Sequence, residues 1–231
     1  TGLADLDLSG DGETIYVVNM YDRSLYSVPL NDTAGALSTG APVSIPVPTT
    51  SCLAGETRPS AVTEYRDVVY VGAVCSGETS TAPFDTRALI FRFDPSVGAF
   101  DPAPIANFSA SETVRNCEQR PAYIPTAYSC EPEPWDTEVN ANQLVLSDLT
   151  FDGTDVIVSF RDRTTDAASP ITGRQRTPAA GMLRLCGDIG AWTMESNGTC
   201  GDRIGTGQDN WQGPDGGEFY TDAELAAEAP T

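Results

Sequence analysis

The feature that most constrains the fold is an internal repeat. Near the start runs Asp5-Leu-Asp-Leu-Ser-Gly-Asp11-Gly12-Glu-Thr-Ile-Tyr-Val-Val-Asn-Met-Tyr-Asp22-Arg23, two apolar-alternating stretches joined at an Asp-Gly turn. Far along the chain the same order returns in Asp148-Leu-Thr-Phe-Asp152-Gly153-Thr-Asp-Val-Ile-Val-Ser-Phe-Arg-Asp162-Arg163. A third version, Ser60-Ala-Val-Thr-Glu-Tyr-Arg-Asp67-Val-Val-Tyr-Val-Gly-Ala-Val, puts Arg-Asp at the turn. A hairpin phrase that recurs at long spacing is the sequence form of a repeat architecture, in which each unit buries its faces only against its neighbours.

Each copy extends to four strands. They are expected over 4–8, 14–20, 25–30 and 41–47 in the first unit, over 59–65, 68–75, 88–94 and 103–108 in the second, and over 143–151, 155–162, 179–186 and 190–197 in the third. The chain is therefore expected to be all-β, a partial β-propeller of about three four-stranded antiparallel blades over 2–47, 58–108 and 143–197. A β-sandwich is the alternative, since it too shows short strands with turns every 8 to 12 residues or so. Propellers use roughly four to eight blades, so residues 198–231 read as a loop and tail leading to blades supplied by further sequence or by a second chain. Within that tail, Thr221 and Glu224 have capping-box spacing for a short helix.

The long connections fall between second and third strands (21–24, 76–87 and 163–178) and between blades (48–58 and 109–142). In a propeller both kinds emerge on one face, which makes that decorated face the expected meeting place for a protein or glycan. Cys52, Cys75, Cys117, Cys130, Cys186 and Cys200 lack metal-site spacing, and no histidine exists to complete a mixed zinc site. Their placement predicts the disulfides Cys52–Cys75, Cys117–Cys130 and Cys186–Cys200, and with them an oxidising, secreted or cell-surface location.

Composition removes several functions. Thirteen basic residues, all arginine, face 33 acidic ones for a net charge of -20, which repels nucleic-acid phosphates and anionic lipid surfaces. No apolar run is long enough for membrane insertion as a helix. Without histidine or lysine there is no Ser-His-Asp or Cys-His nucleophile and no Schiff base. Paired carboxylates and metal-activated water are what remain. Asp5, Asp7 and Asp148 fall on the innermost strands, where clustered oxygens could hold Ca2+; the other reading is that Asp5 and Asp148 bond to the backbone of a neighbouring blade. Asp22-Arg23 and Asp162-Arg163 are either a ligand clamp on the decorated face or a repeated structural ion pair. Trp135, in an acidic loop, is either an exposed anchor for a partner or packing for its own loop.

The opening phrase Gly2-Leu-Ala-Asp-Leu-Asp-Leu-Ser-Gly-Asp-Gly, with Leu25-Tyr26 after Asp22-Arg23, resembles the first blade of a propeller in large bacterial cell-surface proteins that often carry B-type immunoglobulin-like repeats. Leu149-Thr-Phe-Asp-Gly, Phe160-Arg-Asp-Arg and Gln212-Gly-Pro-Asp-Gly-Gly-Glu-Phe-Tyr220 are similar to later stretches of that family. The resemblance implies a bacterial surface location and a role in surface display, adhesion or matrix formation; apart from the resemblance, a filament subunit whose open edges pair between copies is a third possibility. The leading expectation is a non-enzymatic extracellular binding or structural module, with Ca2+ as the one candidate cofactor. The alternative is a propeller hydrolase or lyase with a Ca2+-dependent carboxylate site in the channel.

Overall fold

The computed structural model describes residues 2–33, 36–49, 51–80, 86–110, 129–132, 134–135, 141–163, 181–210 and 213–220. The first blade contains β1 (Leu3–Leu8), β2 (Thr14–Asn19), β3 (Ser24–Thr33), β4 (Ala36–Thr39) and β5 (Val43–Pro46). The second contains β6 (Thr57–Tyr65), β7 (Val68–Cys75), β8 (Arg87–Asp94), β9 (Ala99–Phe100) and β10 (Ala106–Ser109). A short parallel pair, β11 (Ser129–Pro132) and β12 (Ala141–Asn142), precedes the third blade of β13 (Leu144–Asp152), β14 (Asp155–Asp162), β15 (Gly181–Asp188) and β16 (Ala191–Met194). A hairpin of β17 (Thr199–Cys200) and β18 (Arg203–Ile204) comes next, then a 3-10 turn at Pro214–Gly216.

The chain is all-β, and its three blades are four-stranded antiparallel meanders. Their strand orders are β1-β2-β3-β5, β6-β7-β8-β10 and β13-β14-β15-β16. The first blade adds β4, an antiparallel partner for the far half of the ten-residue β3 that the sequence did not announce. The innermost strands β1, β6 and β13 lie beside one another, which is the radial arrangement of a propeller and leaves no place for the facing sheets of a sandwich.

The same irregularity recurs in all three innermost strands. Pairing with the second strand slips between Leu3 and Asp5, between Pro59 and Ala61, and between Leu146 and Asp148. The extra residue is Ala4, Ser60 or Ser147, small side chains suited to a bulge. Beyond the bulge the registers coincide: Leu6 opposes Val17, Val62 opposes Val71, and Leu149 opposes Val158.

Two seams hold the blades together. Between the first and second, Tyr16, Val18 and Leu25 pack on Val62, Val69, Val71, Leu89 and Phe91. Between the second and third, Ala61, Tyr70 and Val74 pack on Leu146, Leu149, Val158 and Phe160. Leu146 lies so close to Gly72 that a β-carbon there would sit 2.6 Å from its Cδ2, so the glycine is required by the seam. Tyr65 stacks on Phe151 with ring centroids 4.4 Å apart. Polar bonds cross the seams as well: Ser60 Oγ donates to the Leu146 carbonyl at 2.6 Å, and Tyr65 Oη donates to the Gly153 carbonyl at 2.7 Å.

Cys52–Cys75 and Cys186–Cys200 are bonded. Cys117, and with it the expected Cys117–Cys130 bond, lies outside the described residues, as does the helix expected at Thr221–Glu224. Cys52–Cys75 ties the first inter-blade connection to the end of β7 across a separation of 23 residues, for which loop entropy gives about 3 kcal/mol. Replacing both cysteines by alanine is expected to lower unfolding stability by about that amount in urea titration. A loss well below about 1 kcal/mol would mean that other contacts order this connection.

Candidate binding site

The innermost strands begin on the face that also carries the turn 20–23, the connection after β7 and residue 163. There an open pocket of about 300 Å³ is lined by Gly2, Met20, Tyr21, Arg58, Glu78, Trp135 and Arg163, so all three blades contribute. Tyr21 is 82% exposed at the rim. Its turn is fixed locally: Asn19 Oδ1 accepts from the Tyr21 N–H, and Asp22 Oδ1 accepts from the Ser24 N–H. Gly2 has no room for a side chain, because a β-carbon would lie 2.6 Å from Tyr21 Cβ.

Trp135 is buried rather than exposed, which corrects the picture of a free surface anchor. Its indole N–H donates to the Leu144 carbonyl at 3.0 Å, its backbone N–H donates to the Ser76 carbonyl, and the ring joins the core between the second and third blades. Two guanidinium groups lie over the ring, Arg163 at 4.8 Å and Arg58 at 5.8 Å from the centroid. The local sequence could not show this burial, because the groups that cover Trp135 come from other blades.

The members of the two Asp-Arg pairs make contacts of their own. Asp22 accepts from Asn19 Nδ2 and from the Tyr26 hydroxyl, while Arg23, in a left-handed conformation at φ 60°, reaches across to Glu56 at 2.5 Å. Asp22 and Arg23 thus take separate partners, because the turn points them apart. In the third blade Asp162 is buried and accepts from the Gln143 N–H, while Arg163 donates to Gln143 Oε1 and stacks on Trp135. Arg58 bridges Glu56 and Glu78, both at 2.8 Å. Burial pushes the Glu78 carboxyl up, but the Ser76 hydroxyl and the Arg58 guanidinium outweigh it and hold Glu78 below the usual range. Three of the 13 basic residues, Arg23, Arg58 and Arg163, therefore gather at this face of a strongly acidic chain.

Asp5 and Asp7 point into the seam between the first two blades. Asp5 Oδ2 accepts from the Val62 N–H at 2.8 Å and Asp7 Oδ2 from the Glu64 N–H at 2.7 Å, while each Oδ1 accepts from the next residue of its own strand. These carboxylates rivet β1 to β6. Asp148, the equivalent residue of the third blade, accepts from its own neighbour, the Leu149 N–H, while in the seam between the second and third blades the cross-blade bond comes from Ser60 to the Leu146 carbonyl. Burial raises the Asp5 carboxyl, the Val62 and Leu6 N–H groups oppose this, and Asp148 and Asp7 add to it. Among the described residues no three metal-ligating side chains gather at one point.

No family model matches the chain. Curated relatives do. It is similar to the colossins. Colossin-A of Dictyostelium discoideum is 30% identical over 71% of this chain, and the match covers 1% of that protein. Colossin-B is 27% identical over 94% of the chain and 6% of the protein, and colossin-C 26% over 89% and 20%. The chain thus spans between 1% and 20% of the length of these relatives. Among solved structures, the GH93 α-L-arabinofuranosidase of Fusarium graminearum with arabinobiose aligns with a TM-score of 0.40 at 9% identity, over 87% of this chain and 50% of that one.

These matches overturn the resemblance to bacterial cell-surface proteins with B-type immunoglobulin-like repeats, and with it the bacterial assignment: the relatives come from Dictyostelium. The reason is physical. Asp-Gly at a tight hairpin and β-branched residues after it are what a blade requires, so the phrase marks a fold and not a lineage. The two disulfides fit a secreted or extracellular protein. Among the described residues no helix is long and apolar enough to cross a membrane, which says nothing of strands.

Proposed function

We propose that the chain is an extracellular, non-enzymatic binding module that engages a protein or glycan through the decorated face. The observation that carries this reading is the open pocket where three blades converge, with Tyr21 at its rim and the Trp135, Arg58 and Arg163 stack as its wall. An aromatic ring with a polar edge beside paired guanidiniums suits saccharide hydroxyls or a peptide carboxylate, and the stack fixes the arginine side chains before a partner arrives. The carboxylates best placed for chemistry, Asp5 and Asp7, already hold backbone N–H groups.

The test uses labelled chain, measured for retention on intact cells and for migration in gels containing neutral or uronic-acid-bearing polysaccharides. Tyr21→Ala is expected to weaken retention about tenfold, the scale of an exposed aromatic anchor, with the melting temperature unchanged. Retention that survives both Tyr21→Ala and Arg163→Gln would remove this face from the reading. Release of sugar from any member of the panel would replace it with a hydrolytic one.

A further inference from the structure

The first blade has an apolar side that no described residue covers. Counted from the bulge, Leu3, Leu6 and Leu8 of β1 occupy the positions of Pro59, Val62 and Glu64 in β6 and of Leu146, Leu149 and Phe151 in β13. Val62 is 3% exposed, Leu149 2% and Leu146 0%, because the preceding blade lies over each. Leu3 is 68% exposed, Leu6 64% and Leu8 48%. Their cross-strand neighbours on this side are Ile15, Val17, Tyr26 and Val28. These seven side chains are uncharged in a chain of net charge -20, with the Asp22 carboxylate at their edge accepting from the Tyr26 hydroxyl, and an apolar cluster of this kind has the character of an interior seam rather than of a solvated face.

The far side of the third blade is closed by its own chain. Cys186 and Arg184 lie on that side, and they hold Cys200 by the disulfide and Tyr220 by a 2.7 Å hydrogen bond. Both existing seams join the leucine side of one blade to the opposite side of the blade before it. A second copy would have to offer the far side of its third blade, where Cys200, Phe219 and Tyr220 already sit against Cys186 and Arg184.

We propose that the open side of the first blade docks a further four-stranded antiparallel blade, supplied by a longer polypeptide of which these residues form part. The open side continues the pattern of the two seams, whatever engages the binding face. That relatives carry a matching stretch within much longer proteins supports the same source.

The test compares the 231-residue chain with the polypeptide encoded in the source organism, by hydroxyl-radical footprinting and thermal unfolding. In the encoded polypeptide, labelling of Leu3, Leu6, Leu8 and Tyr26 is expected to fall several-fold, and Leu6→Asp to lower the midpoint by several degrees. In the 231-residue chain, Leu6→Asp should leave the midpoint unchanged, since the residue is exposed there. If Leu6→Asp prevents folding of the encoded polypeptide, footprinting of the unsubstituted protein decides alone. Equal labelling in the two proteins, an encoded polypeptide no longer than 231 residues, or protection that appears only with concentration-dependent dimerisation would each overturn the proposal.

Discussion

Arg184→Ala is expected to destabilise the protein by about 3 kcal/mol or more, the range for removing one partner from a buried ion pair. Arg184 is 2% exposed, and its Nη2 contacts Asp152 at 2.5 Å and Asp155 at 2.7 Å. Nη1 donates to the Tyr220 hydroxyl, and the guanidinium lies 5.2 Å from the centre of the Phe219 ring. One side chain therefore fastens residues 219–220 to the third blade, more than thirty residues earlier in sequence. Urea unfolding should show the loss of stability, and hydrogen exchange should show faster exchange in the segment carrying Phe219 and Tyr220. Adding Asp155→Asn should recover part of the loss, because the unpaired buried carboxylate is what costs most. A loss below about 1 kcal/mol would mean that Arg203, 2.6 Å from Asp152, carries the network. The pH dependence comes from the same contacts. Burial raises Asp155, but Arg184 and the Gly187 N–H outweigh it, and hydrogen bonds from Arg184 and Arg203 lower Asp152. Both folded values lie below the ordinary 3.8, so this stabilisation is present above that pH and is lost as pH falls through the lowered values.

Glu195 predicts a change of the opposite sign. It is 1% exposed, and among the described residues neither carboxylate oxygen has a hydrogen-bond partner. Burial is the main cause that pushes its carboxyl to about 7; nearby backbone N–H groups of Arg184 and Phe219 and the Arg184 charge oppose this, and Glu218 adds to it. A folded value above the unfolded 4.5 means that the protonated form fits the fold. Stability is then complete below 4.5 and falls as pH rises towards about 7, by about 3 kcal/mol in all. Glu195→Gln should abolish that slope, so its advantage over the parent grows between about pH 5 and pH 8 and levels off above. Parallel stability curves for the two proteins across this range would show that Glu195 is not buried as a charge.

Much of the fold was legible because its determinants are local. The Asp-Gly pairs and the β-branched runs lie within single hairpins, so β7 and β14 begin and end where the alternation predicts. The effect of one blade on the next was not legible. Asp5 and Asp7 look like candidate ligands in sequence, but the N–H groups that engage them belong to residues 57 positions away. Trp135 sits among glutamates and prolines, which suggests exposure, and is buried by groups from two blades. Arg184 and Glu195 give no local sign of burial, because a charge on a strand reads as solvent-facing. The one signal for Arg184 is its place within Leu-Arg-Leu-Cys with Phe219-Tyr220 downstream, and it means something only if the tail folds back.

The shared register has a meaning for how such a protein can grow over generations. Each blade carries one half of a seam on either side, and both halves are written in the same positions counted from the bulge. Copying one blade's coding sequence therefore copies both halves of its contact, and the duplicate arrives able to pack on its parent before selection has acted on it. Asp5 and Ala61 occupy one such position and show how copies diverge, with the apolar seam kept and the Asp5 rivet exchanged for the bond that Ser60 makes beside Ala61.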